Sequence, residues 1–155
     1  MTPSVPPSDE RPSDLLSGTA LTVFRLNGQL MAVAEELARP AGLTAARWQV
    51  LGAVTDEPRP VSAVARRFGV SRQSVQRMAD LLVDQGLAEY RPNPAHSRAK
   101  LLALTEEGRA AMRRIRPDHA RVAEELVGEL GEEEARRALE SLRLLSRALE
   151  RIGDD

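Results

Sequence analysis

The chain contains no cysteine, so no mechanism that depends on a reactive thiol is open to it. Its two histidines, His96 and His119, fall on separate segments with no Cys, Asp or Glu at a recognisable ligand spacing, which argues against a structural zinc site. Aromatic residues are only 3% of the 155 residues, against a hydrophobic content of 42%. The core must therefore be built from Leu, Val and Ala, and such small and branched side chains suit packed helices better than a β-sandwich. No run approaches the ~18 consecutive apolar residues of a membrane span. Residues 1–13, MTPSVPPSDERPS, hold four of the ten prolines without any apolar stretch; they read as a disordered tail and not a signal peptide, and a cytoplasmic location is expected. No nucleophile lies beside a base, and neither a metal set nor a phosphate-cradling Gly loop occurs, so neither an enzyme nor a cofactor is expected. The acidic groups at Glu124-Glu125 and Glu132 to Glu134 read as solvated helix ends, and Met31, Met78 and Met112 as core filler.

What is present concentrates between residues 61 and 105, VSAVARRFGVSRQSVQRMADLLVDQGLAEYRPNPAHSRAKLLALT. Val61, Val64, Ala65 and Phe68 share one face of a short helix, and Gly69 follows where the chain must turn. Ser71 then caps a second helix, in which Val75, Met78 and Leu82 recur at spacings of three and four as one buried stripe. Two helices crossing at ~90–120° need a small side chain at the contact, a turn residue between them and a β-branched wedge on the second. Ala65, Gly69 and Val75 supply these, and the segment reads as a helix-turn-helix.

At ~100° per residue, Gln73, Gln76 and Arg77 fall opposite that stripe. Gln can pair bidentately with adenine and Arg with guanine in a major groove, each good pair contributing ~1–3 kcal/mol of discrimination. Asp80 and Asp84 follow on the same arc, and carboxylates repel phosphates, so the N-terminal half of this helix is the part expected to enter a groove. Residues 59–100 carry eight cations (Arg59, Arg66, Arg67, Arg72, Arg77, Arg91, Arg98 and Lys100) against three acids (Asp80, Asp84 and Glu89), a local charge of +5 in a chain whose net charge is −1. Such segregation is what neutralising phosphate requires. The expected DNA-contacting set is Arg66, Arg67, Ser71, Arg72, Gln73, Ser74, Gln76, Arg77, Arg98 and Lys100. After the helix, GLAEYRP is strand-like, Asn93-Pro94 signals a turn, and AKLLALT resumes an apolar run, so two short strands form a wing. Its tip offers Arg98, Lys100 and His96. Arg98 is placed in a minor groove; the other reading is a hairpin whose charges merely solubilise it.

These pieces together resemble the multiple-antibiotic-resistance regulator (MarR) family of bacterial transcription factors. The resemblance rests on Leu43-Thr44 opening a helix with Trp48 and Leu51, on the helix-turn-helix, on GLAEYRPNPAHSRAKLLALTEEG as wing and exit, and on long helices at both ends. It implies a dimer that binds pseudo-palindromic promoter DNA and releases it when a small molecule binds. Where many members carry an Asp two residues before the wing-tip Arg, this chain has His96, so a carboxylate buttress for Arg98 is missing. Thiol-based oxidant sensing, known among relatives, is closed to this chain.

Residues 14–39 read as a long first helix with Leu16, Ala20, Val23, Leu30, Ala34 and Leu37 in a stripe that Asn27 interrupts; Pro40 and Gly42 end it. Thr44 caps the next helix, with Trp48, Leu51 and Val54 or Thr55 inward. Thr105 caps another long helix, Glu106 and Glu107 suit its positive end, and Pro117 is expected to bend it without breaking it. Beyond Gly131, the residues Ala135, Ala138, Leu142, Leu145, Leu149 and Ile152 recur at 3, 4, 3, 4, 3, a narrow seam that suits a partner helix. Leu142, Leu145, Leu149 and Ile152 are the expected dimerisation residues, with packing onto the protomer's own first helix as the alternative or companion. Asn27, Arg47 and Trp48, near Val23, Leu26, Leu30 and Met31, are the candidate ligand site, Arg47 meeting an anionic group; the other reading makes Trp48 core, Arg47 surface and Asn27 a helix contact. The fold expected is mainly α: a winged helix-turn-helix over 44–105, dimerisation helices at 14–39 and 106–152, a two-stranded wing, and one domain from 14 to 155 behind the tail. The function expected is a dimeric, sequence-specific DNA-binding regulator with double-stranded promoter DNA and itself as partners, a repressor released by a small aromatic or anionic effector. The alternatives are a helical protein–protein adaptor that keeps the helix-turn-helix as scaffold, and a repressor with no ligand.

Overall fold

The computed structural model describes residues 10–154. The elements in chain order are α1 (Pro12–Ala38), a 3-10 turn (Arg39–Ala41), α2 (Ala45–Ala53), β1 (Arg59–Pro60), α3 (Val61–Phe68), α4 (Arg72–Asp84), β2 (Ala88–Arg91), β3 (Leu101–Leu104), α5 (Glu106–Leu130) and α6 (Glu132–Gly153). The expected tail lies outside the described residues up to residue 9, and its last two residues are already helical. Pro12 opens α1, where a missing N–H costs nothing, and Arg11 pairs with Asp14 at 3.1 Å across the first turn.

The three sequence-predicted caps all form. Thr44, Ser71 and Thr105 accept from Arg47 N (3.2 Å), Ser74 N (3.1 Å) and Gly108 N (3.1 Å), each satisfying one of the free donors at a helix start. The start of α2 is also covered from outside: Glu35 on α1 accepts from Ala45 N at 3.0 Å, tying α1 to α2. Helix α5 runs through Pro117 without a break, and Gly131, at φ +83°, separates it from α6.

The wing corrects one expectation. The sheet has three strands, antiparallel in the order β1-β3-β2, with Tyr90 and Arg59 both registered on Leu102. The second edge of β3 is covered by Arg59 and Pro60, and Pro60 is tolerated because an edge strand leaves its missing N–H facing away from the ladder.

The core lies under this sheet and the helix-turn-helix. Leu51, Leu82, Leu102 and Val64 are its largest fully buried side chains, and Ala111 and Ile115 close it from the first half of α5. Helix α1 joins only at its end, through Leu37 and Ala38, and α6 buries no residue at all.

One joint carries α5 onto the core. Thr105 N donates to Leu87 O at 3.2 Å, its Oγ1 donates to Gly86 O at 2.6 Å, and a Cβ on Gly108 would sit 2.0 Å from Leu87 O. No side chain fits in that gap. We expect Gly108→Ala to cost about 1–3 kcal/mol or more, because the obstructing atom is backbone that cannot swing aside. Gly128→Ala in the same helix, with open space around it, should gain up to about 1 kcal/mol from helix propensity alone. Urea unfolding of the two variants checks the contrast, and equal effects would mean the joint is slack.

Candidate nucleic-acid interface

The geometry of the motif follows from a few small residues. Gly69 holds φ +63°, a conformation costly for any residue with a Cβ, and Val70 N closes onto Ala65 O at 3.1 Å. Ala65 lets α3 and α4 approach, and Val75, 2% exposed, is the wedge between them. With Val75, Ala79 and Leu82 turned inward, Arg72, Gln73, Ser74, Gln76 and Arg77 are left exposed on the outer side of α4. Met78 packs partly against the core as its place in the stripe requires.

Wing and helix share an open cleft of about 520 Å³ whose polar lining is Arg72, Gln76, Tyr90, His96, Arg98 and Lys100. Two segments separated by more than twenty residues thus present their cations together. Asn93 makes the turn as predicted: its side-chain oxygen accepts from Ala95 N at 3.0 Å and its carbonyl from His96 N at 3.2 Å. Arg98 has no acidic partner among the described residues, in keeping with the absent wing carboxylate.

Ion pairing separates the cations of this module into two kinds. Arg59 is held by Asp56 and Glu57, and Arg91 by Glu89 at 2.7 Å. Among the described residues, Arg66, Arg67, Arg72, Arg77, Arg98 and Lys100 make no ion pair and no side-chain hydrogen bond. On α5 and α6 both kinds also occur: Arg121, Arg136, Arg137 and Arg143 meet Glu three or four residues away, while Arg109, Arg114, Arg116, Arg147 and Arg151 make no ion pair among the described residues. The free positive charge of the helix-turn-helix is therefore smaller than a residue count suggests, and better localised.

Three of the expected contact residues, Ser71, Ser74 and Arg67, have other work. The Ser71 hydroxyl caps α4 and donates to Ser74 Oγ at 2.9 Å, so the pair is engaged locally. Arg67 lines a different cavity, on the far side of α3 from the wing cleft.

A cluster that sequence reasoning missed joins α4 to β2. Tyr90 donates its hydroxyl hydrogen to Asp80 Oδ1 at 2.5 Å, and Gln76 Nε2 donates to the same carboxylate oxygen at 3.0 Å and to the Tyr90 oxygen at 2.8 Å. The Tyr90 and Gln76 hydrogen bonds hold the Asp80 carboxyl below the usual carboxylate range, while burial and the Asp80 carboxylate push the Tyr90 hydroxyl above its ordinary value. Asp80 is thus a bracket for the wing, and its charge is partly spent there. The Gln76 and Asp80 spacing of four was a visible signal; the Tyr90 contact, made across two elements, was not.

The second cavity, about 580 Å³, lies between α1, α2, the end of α3 and α5, and its lining includes Asn27, Leu30, Met31, Trp48 and Met112. Trp48 meets His119 edge to face at 5.8 Å and 82°. Arg47 is not part of it. Its guanidinium donates to Gln85 Oε1 and to Thr44 Oγ1, linking α2 to the end of α4. These two bonds turn Arg47 to the end of α4, while Trp48, Gln49, Gly52 and Ala53 line the cavity from α2. The cationic side chains around this cavity are instead Arg67 on α3 and Arg116 on α5, with the His119 ring beside them. Val23 and Leu26 also fall elsewhere, in a groove of about 670 Å³ between α1 and α6 that Leu142 and Leu145 line from the other side.

Known proteins share this arrangement. The MarR family model matches residues 41–99, which span α2, the helix-turn-helix and most of the wing. An uncharacterized protein of Mycobacterium tuberculosis, Rv2011c, is 47% identical over 103 residues, covering 66% of this chain and 72% of its own length. Sco5413, a MarR family transcriptional regulator of Streptomyces coelicolor, superposes with a TM-score of 0.72 at 29% identity, over 86% of this chain and 95% of that one. MosR, a transcriptional regulator of M. tuberculosis solved in complex with DNA, gives a TM-score of 0.68 at 27% identity, over 84% and 96%. With the winged helix-turn-helix, its unpaired cations and these likenesses together, the chain belongs to the MarR family of transcription regulators.

Proposed function

We propose that this protein is a homodimeric repressor that binds pseudo-palindromic promoter DNA through the outer face of α4 and the wing, and releases it when a small anionic aromatic molecule enters the cavity beside Trp48. The observation that carries the DNA part is the unpaired set Arg66, Arg72, Arg77, Arg98 and Lys100 on a module whose other two arginines, Arg59 and Arg91, are neutralised. Cations without partners are the ones that release counterions on meeting phosphate. The roles differ by position: Arg77 and Gln73, on the outer face of α4, read bases, whereas Arg66 positions the backbone. Arg77→Ala should erase preference at particular bases, a loss of about 1–3 kcal/mol there. Arg66→Ala should weaken all sequences alike and lower the salt slope by about one. Sequencing of DNA selected by each variant distinguishes them, and identical profiles would mean α4 is docked the wrong way. A two-fold symmetric protein further expects half-sites about 10–10.5 base pairs apart.

Dimerisation is supported by apolar side chains that no part of the protomer covers. Leu16, Leu21 and Phe24 on α1 are 64%, 69% and 71% exposed, and Leu149 and Ile152 on α6 are 53% and 72% exposed. So much open apolar surface along the long helices is the mark of an interaction face. Leu145, half-buried in the groove against α1, serves the protomer as well, so the discriminating change is at the open end of the seam. Leu149→Asp with Ile152→Asp should give a monomer by light scattering while the α-helical signal is kept, since charge placed in an apolar interface loses hydration without a partner. Operator affinity should fall about a hundredfold or more with the lost half-site. A double variant that stays dimeric would place the interface elsewhere.

Release is supported by the cavity's composition, apolar walls with Arg116 and Arg67 as cationic handles and His119 as a further polar group. Phe68 and Arg67 belong to α3, so an occupant touches the DNA-reading module itself and can favour one arrangement of it over another. Small aromatic carboxylates should quench or shift Trp48 fluorescence and free operator DNA over the same concentration range. Arg116→Ala should weaken both effects about tenfold. Release that is indifferent to Arg116 and Trp48 would move the site, and no release at all would leave a repressor governed by its own concentration.

A further inference from the structure

Among the described residues, hydrogen bonds tie the wing to α4 at one side chain only. The Tyr90 hydroxyl lies 2.5 Å from Asp80 Oδ1 and 2.8 Å from Gln76 Nε2, two groups one turn apart on α4. No other donor or acceptor of β2, β3 or residues 92–100 reaches that helix.

The place of the tie gives it leverage. The ladder of β2 and β3 ends at the pair Arg91 and Leu101, so residues 92–100 stand beyond it as an arm. The hydrogen bonds of that arm are local, Asn93 accepting from Ala95 N and His96 N. Tyr90, one residue before the end of β2, sits at its root. A small rotation at the root is multiplied at the tip, where Arg98 makes no ion pair among the described residues. The Tyr90 ring is half-buried and packs against the core. Such apolar contact is not directional, whereas a hydrogen bond fixes both distance and angle. The hydroxyl is thus the group that sets how far the wing stands from α4. Arg98 and Tyr90 line the same cleft as Arg72 and Gln76 of that helix. With α4 in a major groove, the reach of Arg98 into the adjoining minor groove follows from this separation, and an Arg is drawn most strongly where that groove is narrow, as in A·T tracts.

We infer that Tyr90, its hydroxyl held by Asp80 and Gln76, is a specificity-determining positioning residue that fixes the wing's reach, so that Arg98 selects a narrow, A·T-rich minor groove flanking the bases read by α4. The inference rests on the DNA-reading function proposed above. Arg98 is the contacting residue, while Tyr90 and Asp80 act through it.

The experiment is selection from randomised duplexes by the purified full-length protein, followed by sequencing, for wild type, Arg98→Ala, Tyr90→Phe, the Arg98→Ala Tyr90→Phe double variant and Asp80→Ala. Wild type should enrich A·T over G·C pairs in the flank of each half-site about three- to tenfold. Arg98→Ala should flatten the flank and leave the positions read by α4 intact. Tyr90→Phe keeps the ring and its packing, and should flatten the flank in the same way. Measured on the duplex that wild type selects, the loss of affinity from Tyr90→Phe should be about threefold or more, and should vanish once Arg98 is Ala, the non-additivity of two residues that act as one. Asp80→Ala approaches the tie from the other side. It should flatten the flank while tightening binding to unselected duplexes, because a carboxylate that repels phosphate is gone. A merely structural Tyr90 would lower affinity equally with and without Arg98 and leave the flank preference as it was. Full flank preference in Tyr90→Phe or in Asp80→Ala, an equal loss with and without Arg98, or no flank preference in wild type overturns the inference while leaving reading by α4 in place. Failure of wild type to enrich any sequence overturns the DNA-reading function, and this inference with it.

Discussion

The tight joint at Leu87 is the constraint on which the rest of the molecule depends. Here the turn that ends α4 at Gly86 and the start of α5 are pressed backbone to backbone, with Thr105 bonded to Gly86 and Leu87 and only a glycine admissible at position 108. The end of α4, the end of β3 and the start of α5 all meet at this point. A close backbone contact has few soft degrees of freedom, and in the dimer proposed above it would serve as the stiff link between the reading helix and the long helices.

Charge is distributed by the same economy. On α5 and α6, Arg121, Arg136, Arg137 and Arg143 are matched to glutamates about one turn away, which solvates the helices at little gain in stability. On the helix-turn-helix and wing Arg66, Arg67, Arg72, Arg77, Arg98 and Lys100 are left without acids, and two of the acids there engage the protein's own groups: Glu89 meets Arg91, and Asp80 meets Tyr90 and Gln76. Repulsion between a groove-facing carboxylate and phosphate is thereby reduced, and the carboxylate is put to use in fixing the wing's distance from α4.

The cavity beside Trp48 lies where four helices fail to close on one another, since α1 buries only Leu37 and Ala38 and leaves its middle turns away from the core. Its lining joins α1 and α5 to α3, so it adjoins both the long helices and the DNA-reading module. Arg116 and Arg67 take the place expected of Arg47 because Thr44 and Gln85 tie the Arg47 guanidinium to the end of α4.

Local rules were enough to determine the helices, their caps at Thr44, Ser71 and Thr105, the glycine turn at Gly69, the buried stripe of α4 and the basic character of its module, because each depends on residues within about one turn of one another. Pairings between distant segments were decided only by the tertiary structure. Arg59 and Pro60 joined the sheet because β3 had an open edge that no local pattern announces. Gln85 claimed Arg47, Arg67 turned to the cavity beside Phe68, and Tyr90 reached Asp80, each through contacts set by how the helices cross. Spacing along the chain gives the face a side chain occupies, whereas its partner is chosen by which other face the fold brings opposite, and so the reading surface was legible in outline while the groups that orient it were not.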